Sequence, residues 1–170
     1  VPDRNDEISG WFTGRLPDDW FTGPPEVRVD RDEILVVGKL AEPEVASDAT
    51  AEAKESAVAA RIDGFREDTR ARRMRIASEA ERRFRKKVSW GAEIGEVRKI
   101  FTSLSLPMMT RLRIDEREVL DTLVDAGVAR SRSHALAWCV RLVGKHQGEW
   151  IKDLRDAFAR VEQVRSEGPE

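Results

Sequence analysis

The chain is short of the residues on which most catalytic and metal chemistry depends. Its 170 residues include one cysteine, two histidines and no tyrosine. A single thiol, Cys139, closes no internal disulfide, which fits a reducing compartment. Cys139 together with His134 and His146 falls short of a zinc ligand set. No apolar run reaches the roughly 18 residues that a membrane helix needs, and the first residues do not resemble a signal peptide. The sequence also lacks a glycine-rich phosphate loop, a dinucleotide fingerprint and a G-x-S-x-G elbow. These gaps lead to the expectation of a cytoplasmic protein that makes no membrane contact, is not an enzyme, and holds no cofactor or metal.

Charge of both signs, by contrast, is abundant. Charged residues make up 36% of the chain and aromatics only 6%, so a large core is not expected. The net charge of −2 hides an uneven distribution. Residues 1–50 carry 5 Lys/Arg against 12 Asp/Glu, residues 51–100 carry 14 against 9, and residues 101–170 balance at 11 against 11. An acidic segment followed by a basic one points to a polyanion partner or to two halves that screen each other.

Near the start, Trp11-Phe12-Thr13-Gly14 recurs as Trp20-Phe21-Thr22-Gly23. Two short copies do not make a solenoid. They read as two aromatic anchors, each followed by a glycine turn, packing a loop onto something else. Residues 26–40 read as a β-hairpin: Val27 and Val29 alternate with Arg28, Ile34 to Val37 is an aliphatic run, and "DRDE" supplies the turn. Gly38 should end or bulge the second strand. "AEPEVASDAT" (41–50) is a linker, and its last residue, Thr50, is a candidate helix cap.

Residues 51–88 read as one long helix with acid-before-base pairs such as Asp68–Arg72 and Glu79–Arg83. Its apolar spacing is broken at Arg72 and Arg73, and its second half is strongly basic. Such a helix is a candidate for a coiled coil, or for contact with a phosphate backbone through Arg72, Arg73, Arg82, Arg83, Lys86 and Lys87. "SWGAEIG" (89–95) should break it, and "EVRKIFTSL" should add a short helix.

The most distinctive stretch is "MTRLRIDEREVLDTLVDAGVARSRSHALAWCVRLV", residues 109–143. Residues 109–114 alternate as a strand. Asp115 caps a first helix, with Glu118 at capping-box spacing, and Val119, Leu120, Leu123 and Val124 form its apolar face. Gly127 stops that helix. Ser131 or Ser133 caps a second, whose inner face is Leu136, Cys139 or Val140, and Val143. A lone strand has no ladder partner, and a unit this small buries too little to stand by itself. A twofold partner solves both problems. Leu112 and Ile114 would then face a shared core, and Met109, Arg111 and Arg113 would face outward.

In this order of features the segment resembles the ribbon-helix-helix family of bacterial DNA-binding repressors and antitoxins. The matching residues are the Arg-aliphatic-Arg-aliphatic strand, the acidic "DERE" opening, the glycine turn and "ARSRSHAL". His134 departs from the acidic residue often found after the second serine, which removes a complement to the helix N-terminus. The resemblance implies a homodimer whose two-stranded ribbon enters the major groove of double-stranded DNA. By matching position, Met109, Arg111 and Arg113 would face base edges, and Ser131, Arg132 and Ser133 would hold a phosphate.

"EWIKDLRDAFARVEQVRSE" (149–167) reads as a further amphipathic helix, and "GPE" as a frayed tail. The expected architecture is mainly α with a small β component. An acidic segment with a hairpin (1–50) and a long basic helix with its connector (51–106) precede a dimeric ribbon-helix-helix unit (107–144) and a C-terminal helix (145–170). The expected function is sequence-specific DNA binding in transcription regulation, with nucleoid association. The alternative is a coiled-coil adaptor, or an antitoxin-like module that takes a protein partner through its N-terminal segment.

Overall fold

A computed structural model describes residues 4–167; the "GPE" tail lies outside the described residues. The protein is mixed α/β, with six helices and one four-stranded sheet among the described residues. It divides into two compact units, one ending at Leu106 and one beginning at Pro107.

The first unit is built on the sheet. Strands β1 (Glu26–Val29) and β2 (Glu33–Lys39) form the expected antiparallel hairpin. Its turn is fixed by Asp30, whose Oδ1 accepts the backbone N–H groups of Asp32 and Glu33 at 2.8 and 2.7 Å. The sheet then continues where the sequence pattern suggests helix. Strand β3 (Lys87–Ile94) runs parallel to β2, and β4 (Val97–Ile100) pairs back on β3. The signal is present: Val88, Trp90, Ala92 and Ile94 alternate with Lys87, Ser89, Gly91 and Glu93. Gly95, at φ +57°, opens a two-residue turn. Residues 4–106 thus form one unit, whose two core clusters are both packed by Phe21, Phe65 and Phe101, and the β component is a full sheet rather than one hairpin.

Helix α1 (Arg4–Arg15) contains the first aromatic copy, Trp11–Gly14, expected in a loop; the second, Trp20–Gly23, lies outside any helix or strand, as expected. Ile8 and Phe12 are fully buried against Ile34, Val36 and Trp90. Trp20 makes edge-on contacts with Phe65 and Trp90 at ring separations of 5.6 and 6.3 Å.

The single long helix is in fact two, α2 (Ala51–Asp68) and α3 (Arg70–Phe84). Thr50 caps α2, its Oγ accepting from the Ala53 N–H at 3.2 Å. The break falls at Thr69, at φ −94° and ψ −1°, where the Phe65 carbonyl accepts both the backbone N–H and the hydroxyl of Thr69. Together α2 and α3 form the crossover that a parallel β2–β3 pair requires. Ile62, Ile76, Ala80 and Phe84 therefore face the sheet and not a coiled-coil partner. Arg85 ends α3 in the left-handed conformation at φ 59°.

Gly38 neither ends nor bulges β2; it pairs with Ala92 inside the strand. The Phe21 ring lies directly over it, so an added Cβ would sit 2.2 Å from that ring. Close approach by an aromatic side chain is the reason for glycine here.

The second unit holds α4 (Ile114–Asp125), α5 (Arg132–His146) and α6 (Gly148–Ser166). Its core is small: Leu120, Ala129 and Ala135, with Leu112, Leu123, Val124, Leu136 and Cys139 packed around them.

Candidate nucleic-acid interface

The stretch leading into α4 does not form the expected strand in the single chain. Residues 102–113 carry neither helix nor strand. Met109 is fully exposed, Arg111 and Arg113 are exposed, and Leu112 tucks into the unit's core. Thr110 is exposed as well, so Leu112 alone turns inward and the expected alternation is not formed. Ile114, expected to face the core, is the first residue of α4 and 61% exposed.

The cap also sits two residues earlier than expected. Arg113, not Asp115, takes the extended N-cap position, and the Glu116 carboxylate accepts its backbone N–H at 2.6 Å. Arg117 then donates to the Leu112 carbonyl at 2.7 Å. These two contacts fix the direction in which residues 109–113 leave the helix, and neither is evident from the sequence.

The turn between α4 and α5 matches the expectation. Gly127 adopts φ +73°, and its N–H donates to the Val124 carbonyl. Of the two candidate caps, Ser131 serves: its Oγ accepts the His134 N–H at 3.2 Å. The first N–H groups of a helix have no intrahelical acceptor. Those of Arg132 and Ser133 lie at exposed residues at the positive end of α5. The Arg132 guanidinium, however, grips Asp121 of α4 with two bonds of 2.6 Å. That hydrogen bond, reinforced by the opposite charge, holds the Asp121 carboxyl below the usual carboxylate range. Arg132 thus ties α5 to α4, and the backbone is the part of this cap left open to an anion.

The basic positions of α3 do not form one free stripe. Arg73 is buried, which corrects its expected place on a phosphate-facing surface. Arg72 lies over the Trp20 ring at 5.9 Å. Arg82 donates to the Ser78 carbonyl at 3.3 Å, and Arg83 pairs with Glu7 of α1 at 3.0 Å. Lys86 donates to the Asp30 and Arg31 carbonyls in the β1–β2 turn, and Lys87 pairs with Glu81 at 3.0 Å. Most of this charge ties α3 to neighbouring elements of its own unit.

The chain therefore joins an α/β unit, with its helices on one sheet face, to a separate three-helix unit whose leading segment presents arginines. The model described as "Rv1265-like protein, N-terminal domain" matches residues 6–100, and that described as "Mb1296 C-terminal domain" matches residues 113–165. The chain belongs to the Rv1265-like family. It is 53% identical over 160 residues to uncharacterized proteins Mb1296 of Mycobacterium bovis and Rv1265 of Mycobacterium tuberculosis H37Rv, covering 94% of this chain and 69% of each relative. No solved structure matches it. No helix among the described residues is long and apolar enough to cross a membrane.

Proposed function

We propose that this protein is a homodimeric, sequence-specific DNA-binding regulator whose residues 109–113 read the major groove as a ribbon-helix-helix strand. One observation carries the reading. A segment without regular structure, with Arg111 and Arg113 exposed, leads into a helix–glycine turn–helix whose apolar residues are partly uncovered. Ile114, Val119, Val140, Leu142 and Val143 are between 38% and 66% exposed. A half-unit waiting for a twofold mate has this character: the mate supplies the missing ladder and covers these side chains. In the paired form Met109, Arg111 and Arg113 face base edges. The exposed N–H groups of Arg132 and Ser133 at the start of α5 meet a phosphate.

The test is a gel-shift series with a selected DNA site, comparing the parent with Arg111→Ala/Arg113→Ala. Each well-placed arginine contributes about 1–3 kcal/mol of base discrimination. The double variant should lose specific binding while remaining a folded dimer. Site-specific binding retained by that variant sinks the groove assignment.

A second reading has its own support in α6. Trp150, Leu154, Ala157, Val161 and Val164 follow a 4-3-4-3 spacing, and the large members are 49–68% exposed. That is a coiled-coil seam without its partner. In an adaptor it takes another protein; in the dimer it pairs with its own copy.

A further inference from the structure

The first unit contains a groove that the DNA-binding reading does not use. It lies between α3 and the β3–β4 end of the sheet and measures about 500 Å³. Its lining includes Arg66, Arg70, Arg73, Met74, Phe101 and Thr102.

Arg73 is the unusual member. It is only 5% exposed, yet no carboxylate lies within ion-pair distance of it among the described residues. Its Nε donates to Thr69 Oγ1 at 3.0 Å and one terminal nitrogen, Nη2, to the Arg66 carbonyl at 2.6 Å. The guanidinium carbon sits 5.0 Å from the Phe101 ring centre. Every one of these partners is neutral. Buried charges in proteins are normally paired, because desolvation is costly and attraction must offset it.

The neighbours add to the imbalance. Burial, then the charges of Arg66 and Arg70, lower the Arg73 pKa from its ordinary value, and only Glu67, a carboxylate on the same lining, opposes them. The side chains of Arg66 and Arg70 make no ion pair of their own among the described residues. Glu81, also on the lining, is committed to Lys87 and to the Val88 N–H. Two anchored nitrogens and a ring hold the Arg73 fork in one orientation, while Nη1 has no bonded partner among the described residues. Thr102 Oγ1 accepts from the Trp90 N–H at 3.1 Å, which leaves its hydroxyl proton available as a further donor.

We propose that this groove binds a small oxyanion-bearing molecule, its phosphate or carboxylate on Arg73 with Arg66 and Arg70 beside it, and its apolar body against Met74 and Phe101. The anion supplies the charge that Arg73 lacks, and arginine's planar fork suits either group. The inference stands on the first unit alone and does not depend on DNA binding.

The test is an amide-resonance titration of the full chain at constant ionic strength. The probes are phenyl phosphate, benzoate and, as an uncharged counterpart, benzyl alcohol. Saturable shifts centred on Arg73, Phe101 and Thr102 are expected with at least one anion and not with the alcohol. A response to only one anion assigns the group and supports the site. The exposed-residue variant Arg66→Gln/Arg70→Gln should keep the parent's spectrum and bind about tenfold more weakly or worse. The site is overturned if neither anion saturates, if benzyl alcohol produces the same shifts, or if the double variant binds as tightly as the parent.

Discussion

The two units treat their apolar residues in opposite ways. In the first, Phe12, Ile34, Val36, Ile62 and Ile76 are sealed between helices and sheet, at 0–1% exposure. In the second, only Leu120, Ala129 and Ala135 are buried among the described residues, while Trp150, Phe158, Val140 and Val164 are more than half exposed. The difference follows from architecture. A four-stranded sheet with a helical layer closes over its own core, whereas three helices without a sheet leave apolar side chains uncovered. The first unit is complete as a folded body. The second leaves apolar side chains uncovered, and this is why a homodimer is central to the proposed function.

Mutations can break this comparison. Phe12→Ala should have the largest effect, costing about 3–5 kcal/mol because a fully buried ring leaves a cavity. Urea denaturation followed through resonances of the first unit measures it. A loss below about 1 kcal/mol would show that this core is not closed. On the other side, Leu154→Asp with Val161→Asp should leave the monomer folded but weaken self-association about tenfold or more in sedimentation equilibrium. Unchanged association would remove α6 from the dimer surface.

Smaller changes sharpen the same contrast. Gly38→Ala must displace the Phe21 ring, at a cost of about 1–3 kcal/mol in the first unit. Ser131→Ala removes one cap from α5, which should cost about 1 kcal/mol and be felt only in the second unit. Acid titration should produce the mildest change. Asp30, whose carboxylate accepts two backbone N–H groups, and Glu26, bonded to Arg98, are held below their ordinary pKa values. Groups more acidic in the folded state stabilise it above the unfolded pKa, and that contribution fades as pH falls through the folded one. The melting temperature of the first unit should therefore decline below about pH 4, and a flat acid profile would mean these contacts do not persist in solution.

How much of the fold is legible in sequence depends on how local its determinants are. The β1–β2 hairpin, Thr50 as a cap, a serine cap at 131 or 133, Gly127 as a stop and the extent of α6 are set by residues a few positions apart, and the sequence reveals them. Strand β3 escapes when a helical pattern is carried past Phe84, although the Val88–Ile94 alternation and Gly95 mark a hairpin. The break at Thr69 goes with a hydroxyl bond to Phe65, and the glycine at position 38 with a ring 17 residues away in sequence. Neither has a periodic signature. For the candidate interface, Arg111 and Arg113 are exposed as expected, but the alternating strand read from 109–114 is not formed. The burial of Arg73 and the Arg132–Asp121 clasp leave no trace in the sequence, because both depend on tertiary neighbours.

The most direct test of DNA reading is selection of genomic DNA fragments on the purified protein at near-physiological salt, followed by sequencing. The account predicts an enriched inverted repeat, as a twofold ribbon requires, that disappears with Arg111→Ala/Arg113→Ala. Recovery without sequence preference that vanishes as salt rises, or no recovery at all, would contradict it.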